Sequence, residues 1–285
     1  MKLIDTHAHL NFAAFDDDRE ALIEDSLAEG IFMINAGVNF ESSKAAAELT
    51  EKYDYGVWAA IGLHPLNLSG QKRIARDLPE DFCEDGFDNE KYFALAESKK
   101  TVAIGEIGLD YYYKPKTNVR IEAMIAAQKE ALRRQLRFAR ETNLPVIFHC
   151  RMAHSDLVKF LREDFSANGK LKGALHCFTG GIAELDAYLD LGLHIGLNGI
   201  VFKMDLDGAI KKIPRERILL ETDCPYLTPP PRFSGASLAI GGPPIGRNEP
   251  KNTAIIARRV AQIRCESVEF LAEITTQNAQ ELFRI

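Results

Sequence analysis

The 285-residue sequence has no apolar stretch approaching the length of a membrane span, and its first residues lack the basic-then-apolar layout of a secretory signal. A helical membrane protein and a secreted one are therefore not expected. Cysteine is sparse: five residues, odd in number and scattered, exclude a disulfide framework and point to a reducing compartment, by default the cytoplasm. Positive charge is in deficit, and the net charge of −6 excludes a surface that coats nucleic acid broadly. It leaves room for an enzyme that grips a few phosphates with metal ions and local arginines. No G-x-G-x-x-G follows the first apolar run, so an open, doubly wound dinucleotide-binding sheet lacks its fingerprint. There is no low-complexity tract, no linker and no repeat beyond the alternation described next, so residues 1–285 read as one domain.

What is present is a short apolar run followed by an amphipathic stretch, again and again. Strands are expected at Lys2–Thr6, Ile31–Asn35, Val57–Gly62, Thr101–Ile104, Pro145–Phe148, Lys172–Leu175, Leu193–Gly196 and Arg217–Leu220. Helical spacing falls between them, around Arg19–Glu29, Glu41–Lys52 and Val119–Glu141, and from Asn252 onward. Strands that alternate with helices must pair in parallel, because each crossover returns along the sheet. Eight such units predict a (β/α)8 TIM barrel. Two segments exceed what a plain barrel needs: an acidic insertion with a helix over 66–100, and a Pro- and Gly-rich loop over 229–250. Both leave the carboxyl ends of strands, where barrel active sites lie, and are expected to act as a lid or substrate wall.

The chemistry lies at those strand ends. Side chains two apart on a strand share a face, so His7-Ala8-His9 aims two imidazoles at one point. Glu106, His149, His176 and Asp223 end later strands on the same barrel face. Any one of these histidines alone could be a satisfied core residue; six metal-capable groups at one mouth predict a metal site. Imidazole suits Zn or Mn, and carboxylate with water suits Mg or Mn. A mixed set with one central Glu suits two ions about 3.5–4 Å apart that polarise an electrophile and produce hydroxide near neutral pH. Hydrolysis is the implied reaction.

His7-x-His9, Gly62-Leu63-His64-Pro65, Gly105-Glu106-Ile107-Gly108-Leu109-Asp110, His149-Cys150-Arg151, His176-Cys177-Phe178-Thr179-Gly180 and Glu221-Thr222-Asp223-Cys224-Pro225-Tyr226 together resemble the TatD family of metal-dependent deoxyribonucleases. That family lies within the amidohydrolase-like barrel superfamily. The resemblance spans nearly the whole chain, through Arg247-Asn248-Glu249-Pro250 and Asn278-Ala279-x-x-Leu282-Phe283. It implies that His7, His9, Glu106 and Asp223 hold one divalent ion and that Glu106, His149 and His176 hold the other. The ions would be Mg2+, Mn2+ or Zn2+. Asp223 would take the proton of the attacking water, and Glu106 would bridge. The implied substrate is DNA, single-stranded or at frayed ends, cut as a 3′–5′ exonuclease with no obligate protein partner. The chain departs from the family's usual pattern in the segment after His64 and in the loop between Arg232 and Arg247.

Further substrate contacts are expected from His64, Arg151, Arg232, Arg247 and Tyr112. Each also has a plainer reading: His64 as a turn cap before proline, the arginines as rim salt bridges, the tyrosine as packing. His154 stays undecided, and His194, at the entry end of its strand, is expected to be structural. Cys150, Cys177 and Cys224 each follow a proposed ligand, so alternation should turn them towards the helix layer. Two other functions share these residues. One is an ester or amide hydrolase, such as an aminoacyl-tRNA deacylase or a lactonase; the other is a barrel that binds nucleic acid or protein without catalysis.

Overall fold

The computed structural model describes residues 2–68, 84–230 and 246–285. Arg232, Cys83 and the middle of both long segments lie outside the described residues. Eight parallel strands pair in chain order: β1 (Leu3–Ala8), β2 (Ile31–Ala36), β3 (Val57–Ile61), β4 (Thr101–Asp110), β5 (Val146–Arg151), β6 (Gly173–Leu175), β7 (His194–Leu197) and β8 (Ile218–Leu220). Between them run α1 (Arg19–Ala28), α2 (Phe40–Thr50), α3 (Asn89–Ala96), α4 (Asn118–Thr142), α5 (His154–Asn168), α6 (Ile182–Asp190) and α7 (Asp207–Lys212). Helices α8 (Thr253–Arg264) and α9 (Val268–Phe283) follow β8. This is the (β/α)8 barrel that the alternation predicts. No helix among the described residues is long and apolar enough to cross a membrane.

Local chemistry sets the element ends. A capping box opens α2: the Asn39 side chain accepts from Ser42 N at 2.8 Å, and Ser42 Oγ accepts from Asn39 N at 3.1 Å. Asn143 ends α4 in the left-handed conformation, φ 54°. The largest departure from expectation is β4, which the sequence reading stops at Ile104 and which runs on to Asp110. Gly105 and Gly108 permit close strand packing here. A Cβ on Gly108 (φ +153°) would lie 1.9 Å from the His149 carbonyl oxygen of β5.

Along the strands two apolar sets alternate: Leu3 with Ile4, Ile61 with Ala60, Phe148 with Ile147, Leu175 with Ala174, Leu220 with Leu219. The first of each pair packs with helix residues such as Leu132, Leu136, Leu157 and Leu161. The second set therefore lines the barrel interior, and Ala279, Leu282 and Phe283 of α9 pack against it. The seam between β1 and β8 is closed differently from the other joints. Only an isolated bridge, Ala8 to Cys224, joins them, with His9 N donating to Cys224 O (2.9 Å) and Asp223 N to His7 O (2.8 Å). Side chains supply the rest. Thr6 Oγ1 donates to Leu220 O at 3.1 Å, and the buried Asp5 carboxylate accepts from His7 N (3.2 Å) and Thr222 N (2.8 Å) and meets Thr222 Oγ1.

Candidate metal centre

His7 lies on β1 and His9 just beyond it; Glu106 is on β4, His149 on β5, and His176 and Asp223 follow β6 and β8. The structure brings all six together. Glu106 is at the centre, with its two oxygens facing different groups. Its Oε2 is 3.4 Å from His7 Nε2 and 3.9 Å from His9 Nε2. Its Oε1 is 2.6 Å from His149 Nδ1 and 3.6 Å from both His176 Nε2 and His64 Nε2. Asp223 Oδ1 stands 3.4 Å from His9 Nε2 and 3.9 Å from His7 Nε2. Three overlapping sets (His7, His9 and Glu106; His7, His176 and Asp223; Glu106, His149 and His176) each offer donor atoms within 4.8 Å of one another.

The donor chemistry fits divalent cations. His9 Nδ1 is 2.8 Å from the Ala36 carbonyl, which can only accept, so Nε2 carries the lone pair. That lone pair faces His7 Nε2 at 3.1 Å, while the buried His7 Nδ1 has no hydrogen-bond partner. Two imidazole nitrogens held this close are satisfied together by a cation. His176 Nδ1 sits 2.9 Å from Glu221 Oε1, and its Nε2 faces Glu106.

The charges follow from burial and proximity. Burial pushes the Glu106 carboxyl up, but the imidazoles of His64, His7 and His149 outweigh it and hold it well below the usual range. Asp223 is likewise lowered against the pull of burial, by His176, His9 and His7. Burial opposes protonation of His176, but Glu221 and Asp223 overcome it and lift the imidazole to about 10. Burial, with His176 adding to it, lowers His7.

His64 joins the group with a different task. It follows β3 and caps a short turn, its Nδ1 accepting from Leu66 N at 3.1 Å. Burial takes it down to about 3, so it is neutral and its proton is on Nε2. His64 therefore presents a donor to the cavity where His9 presents a lone pair. Both readings of His64, turn cap and site residue, describe the same ring.

Three carboxylates that the sequence reading passed over support the centre. Asp110 Oδ2 is 3.0 Å from His149 Nε2 and accepts from Arg151 Nε at 2.8 Å; Gln128 clamps the Asp110 backbone. Glu221 accepts from Cys177 N and Asn198 Nδ2 as well as facing His176, and a Cβ on Gly196 would come within 2.5 Å of its Oε2. Asp5 is the seam residue. Strand parity with Glu106 and Asp223, inside motifs already singled out, was the available signal for Asp110 and Glu221.

Other expected residues scatter. Arg151 borders the cavity, about 450 Å³ in volume, together with His9, Phe12, His64 and Tyr113. Tyr112 is 55 % exposed, with the Arg151 guanidinium 4.6 Å from its ring centre. Arg247 does not reach the cavity: its guanidinium covers the Phe15 ring at 4.2 Å and bonds Ala14 O and Asp18. The expected phosphate clamp is replaced there by a tie to the loop after β1. His154 starts α5, contacting Tyr188 Oη at 2.9 Å and Thr179 Oγ1 at 3.3 Å. His194 lies at the amino end of β7. Cys150 and Cys224 sit in apolar clusters, as expected, though Cys150 also borders the cavity. Cys177 borders the cavity as well, because β6 ends at Leu175 and residue 177 turns left-handed (φ 47°), which breaks the alternation.

With the geometry in place, comparison with known proteins gives a consistent answer. The sequence profile of one family, described as TatD related DNase, matches residues 4–284. A Bacillus subtilis (strain 168) protein named as an uncharacterized metal-dependent hydrolase, YabD, is 36% identical over 289 residues, covering 99% of each chain. A 3′-5′ ssDNA/RNA exonuclease TatD of Citrobacter koseri is 34% identical, again over 99% of both. The crystal structure of YjjV, a TatD homologue from Escherichia coli K12, superposes with a TM-score of 0.78 at 26% identity, covering 99% of this chain and 98% of the other.

Proposed function

The chain belongs to the TatD-related DNase family and is a metal-dependent hydrolase, and from that premise we propose that it removes nucleotides from the 3′ ends of single-stranded DNA. The observation that carries the reading is Glu106, whose two oxygens face separate imidazole groups in a buried pocket. In this reading His7, His9, Glu106 and Asp223 hold one ion, and Glu106, His149 and His176 hold a second, with Mg2+, Mn2+ or Zn2+ as candidates. Such ions, when bound, polarise the phosphoryl group and lower the pKa of water.

The chain's own groups do the rest. Asp223, kept ionised, accepts the proton of the attacking water. His64 donates a hydrogen bond from its Nε2–H to a phosphoryl oxygen. Arg151 is held at Nε by Asp110, which leaves its terminal amino groups to fork onto a phosphate. Glu221 and Asp110 orient His176 and His149. The described cysteines are all free, in keeping with the reducing, cytoplasmic setting proposed for the enzyme.

The test is hydrolysis of end-labelled single- and double-stranded DNA, RNA and an ester substrate under metal titration, with a chelator control. Glu106→Ala should cut the rate at least about 10³-fold, because lost charge stabilisation is worth several kcal/mol, and should leave the circular dichroism spectrum in place. A Glu106→Ala protein that digests DNA at the wild-type rate would refute the assignment.

A further inference from the structure

The loop between β4 and α4 carries Tyr111-Tyr112-Tyr113-Lys114-Pro115-Lys116 and leads into Arg120. Its start is fixed. Tyr111 is buried, with its hydroxyl donating to Asp156 at 2.9 Å, and Tyr112 N donates to Asp110 Oδ1 at 2.9 Å. Asp110 also holds Arg151 and His149, so the loop is tied directly to the metal-centre wall. Tyr113 borders the cavity itself. Arg151 lies against both rings, 4.6 Å from the centre of Tyr112 and 5.1 Å from that of Tyr113. Beyond them Lys114, Lys116 and Arg120 are all exposed, and among the described residues none of the three forms an ion pair. Arg120 stands in the first turn of α4, where the helix dipole disfavours a cation, and no acidic side chain offsets it there.

An exposed aromatic platform followed by unpaired cations, continuous with a cavity, is the arrangement that binds single-stranded nucleic acid: rings stack on bases and cations track phosphates. It matters more in a chain of net charge −6, whose surface offers no general attraction. We propose that the β4–α4 loop is the track for the part of the strand outside the cleavage site, with Tyr112 stacking a base and Lys114, Lys116 and Arg120 contacting successive phosphates. The inference rests on the single-strand nuclease reading above. It adds a consequence: longer strands bind more tightly than short ones, while small diesters ignore the loop.

The experiment measures binding of fluorescent phosphorothioate dT12 to the metal-loaded protein between 50 and 200 mM salt, alongside turnover of bis(p-nitrophenyl) phosphate and of unmodified dT12. Single strands contribute a slope of about −0.7 per phosphate contact in a log–log salt plot, so the triple variant Lys114→Gln, Lys116→Gln, Arg120→Gln should flatten the slope by about 2. Over that fourfold salt range its affinity should fall about 20-fold less than that of the wild type. Tyr112→Leu should weaken binding about tenfold at every salt concentration without changing the slope. Turnover of the small diester should be unchanged in the triple variant. Wild-type cleavage of dT12 with the slope and affinity unmoved by the triple variant would overturn the track and spare the nuclease reading. A wild type that hydrolyses the small diester but neither binds nor cleaves dT12 would overturn both.

Discussion

Asp5 offers the sharpest test of how the site is held. Burial raises its carboxyl to about 8, so at pH 7 it keeps its proton. One oxygen then accepts from the His7 and Thr222 backbone N–H groups, and the other meets the Thr222 hydroxyl. Asparagine keeps that arrangement, with its carbonyl as the acceptor and its amide against the hydroxyl. Asp5→Asn should therefore cost less than about 1 kcal/mol. Asp5→Ala strips the acceptor from two buried N–H groups at about 1–3 kcal/mol each, and loosens the hydroxyl besides, for a total of about 3–5 kcal/mol. Urea unfolding of the protein in chelator at pH 7 measures both values. Calorimetric titration with Mn2+ then asks whether the Ala variant, but not the Asn variant, has lost affinity as His7 and Asp223 drift apart. Equal stability of the Ala and Asn proteins would refute the argument that a protonated Asp5 latches the seam.

Glu221→Gln should lower metal affinity about 10–100-fold, the usual cost of removing a carboxylate behind a ligating imidazole, and the same calorimetry reads it; wild-type affinity would remove Glu221 from its supporting role. His194, lowered from 6.5 to about 4 chiefly by burial and then by Arg217, resists protonation in the folded state. As pH falls from 6.5 towards 4 the unfolded chain takes up a proton that the folded one does not, so stability is lost, by about 2–3 kcal/mol. His194→Gln should remove that part of the pH dependence in urea melts at pH 7 and pH 4.5; identical slopes in the two proteins would count against it. Gly108→Ala drives a methyl into the His149 carbonyl at 1.9 Å, and should yield a protein that fails to fold or melts well below wild type. An unaltered melting temperature would mean that β4 and β5 can separate at no cost.

The barrel and the convergence of its six central groups were legible because they rest on periodicity: apolar runs at regular intervals fix the strands, and metal-capable side chains at the ends of five of them are carried to one mouth by the fold. Supporting residues carry no such period. Asp5, Asp110 and Glu221 act through partners on other strands, and in the sequence each is one carboxylate beside a more conspicuous neighbour. More than half of β4, from Gly105 to Asp110, was hidden because glycine at Gly105 and Gly108 signals a break locally and tight strand contact in the assembled sheet. The partners of Arg247 were hidden for a related reason. Phe15 and Asp18 come from the other end of the chain, and loop position alone could not reveal that the guanidinium was already occupied.

The seam between β1 and β8 has a consequence for the order of events during synthesis. Asp5 and Thr222, which join it, are 217 positions apart, and His7, His9 and Asp223 flank that joint. A nascent chain can complete several βα units, each with local packing, and still have its first two histidines facing no carboxylate from β8. Catalytic competence is thus withheld until nearly the whole barrel has left the ribosome. A hydrolase built this way cannot act on substrate close to its own site of translation while still half made.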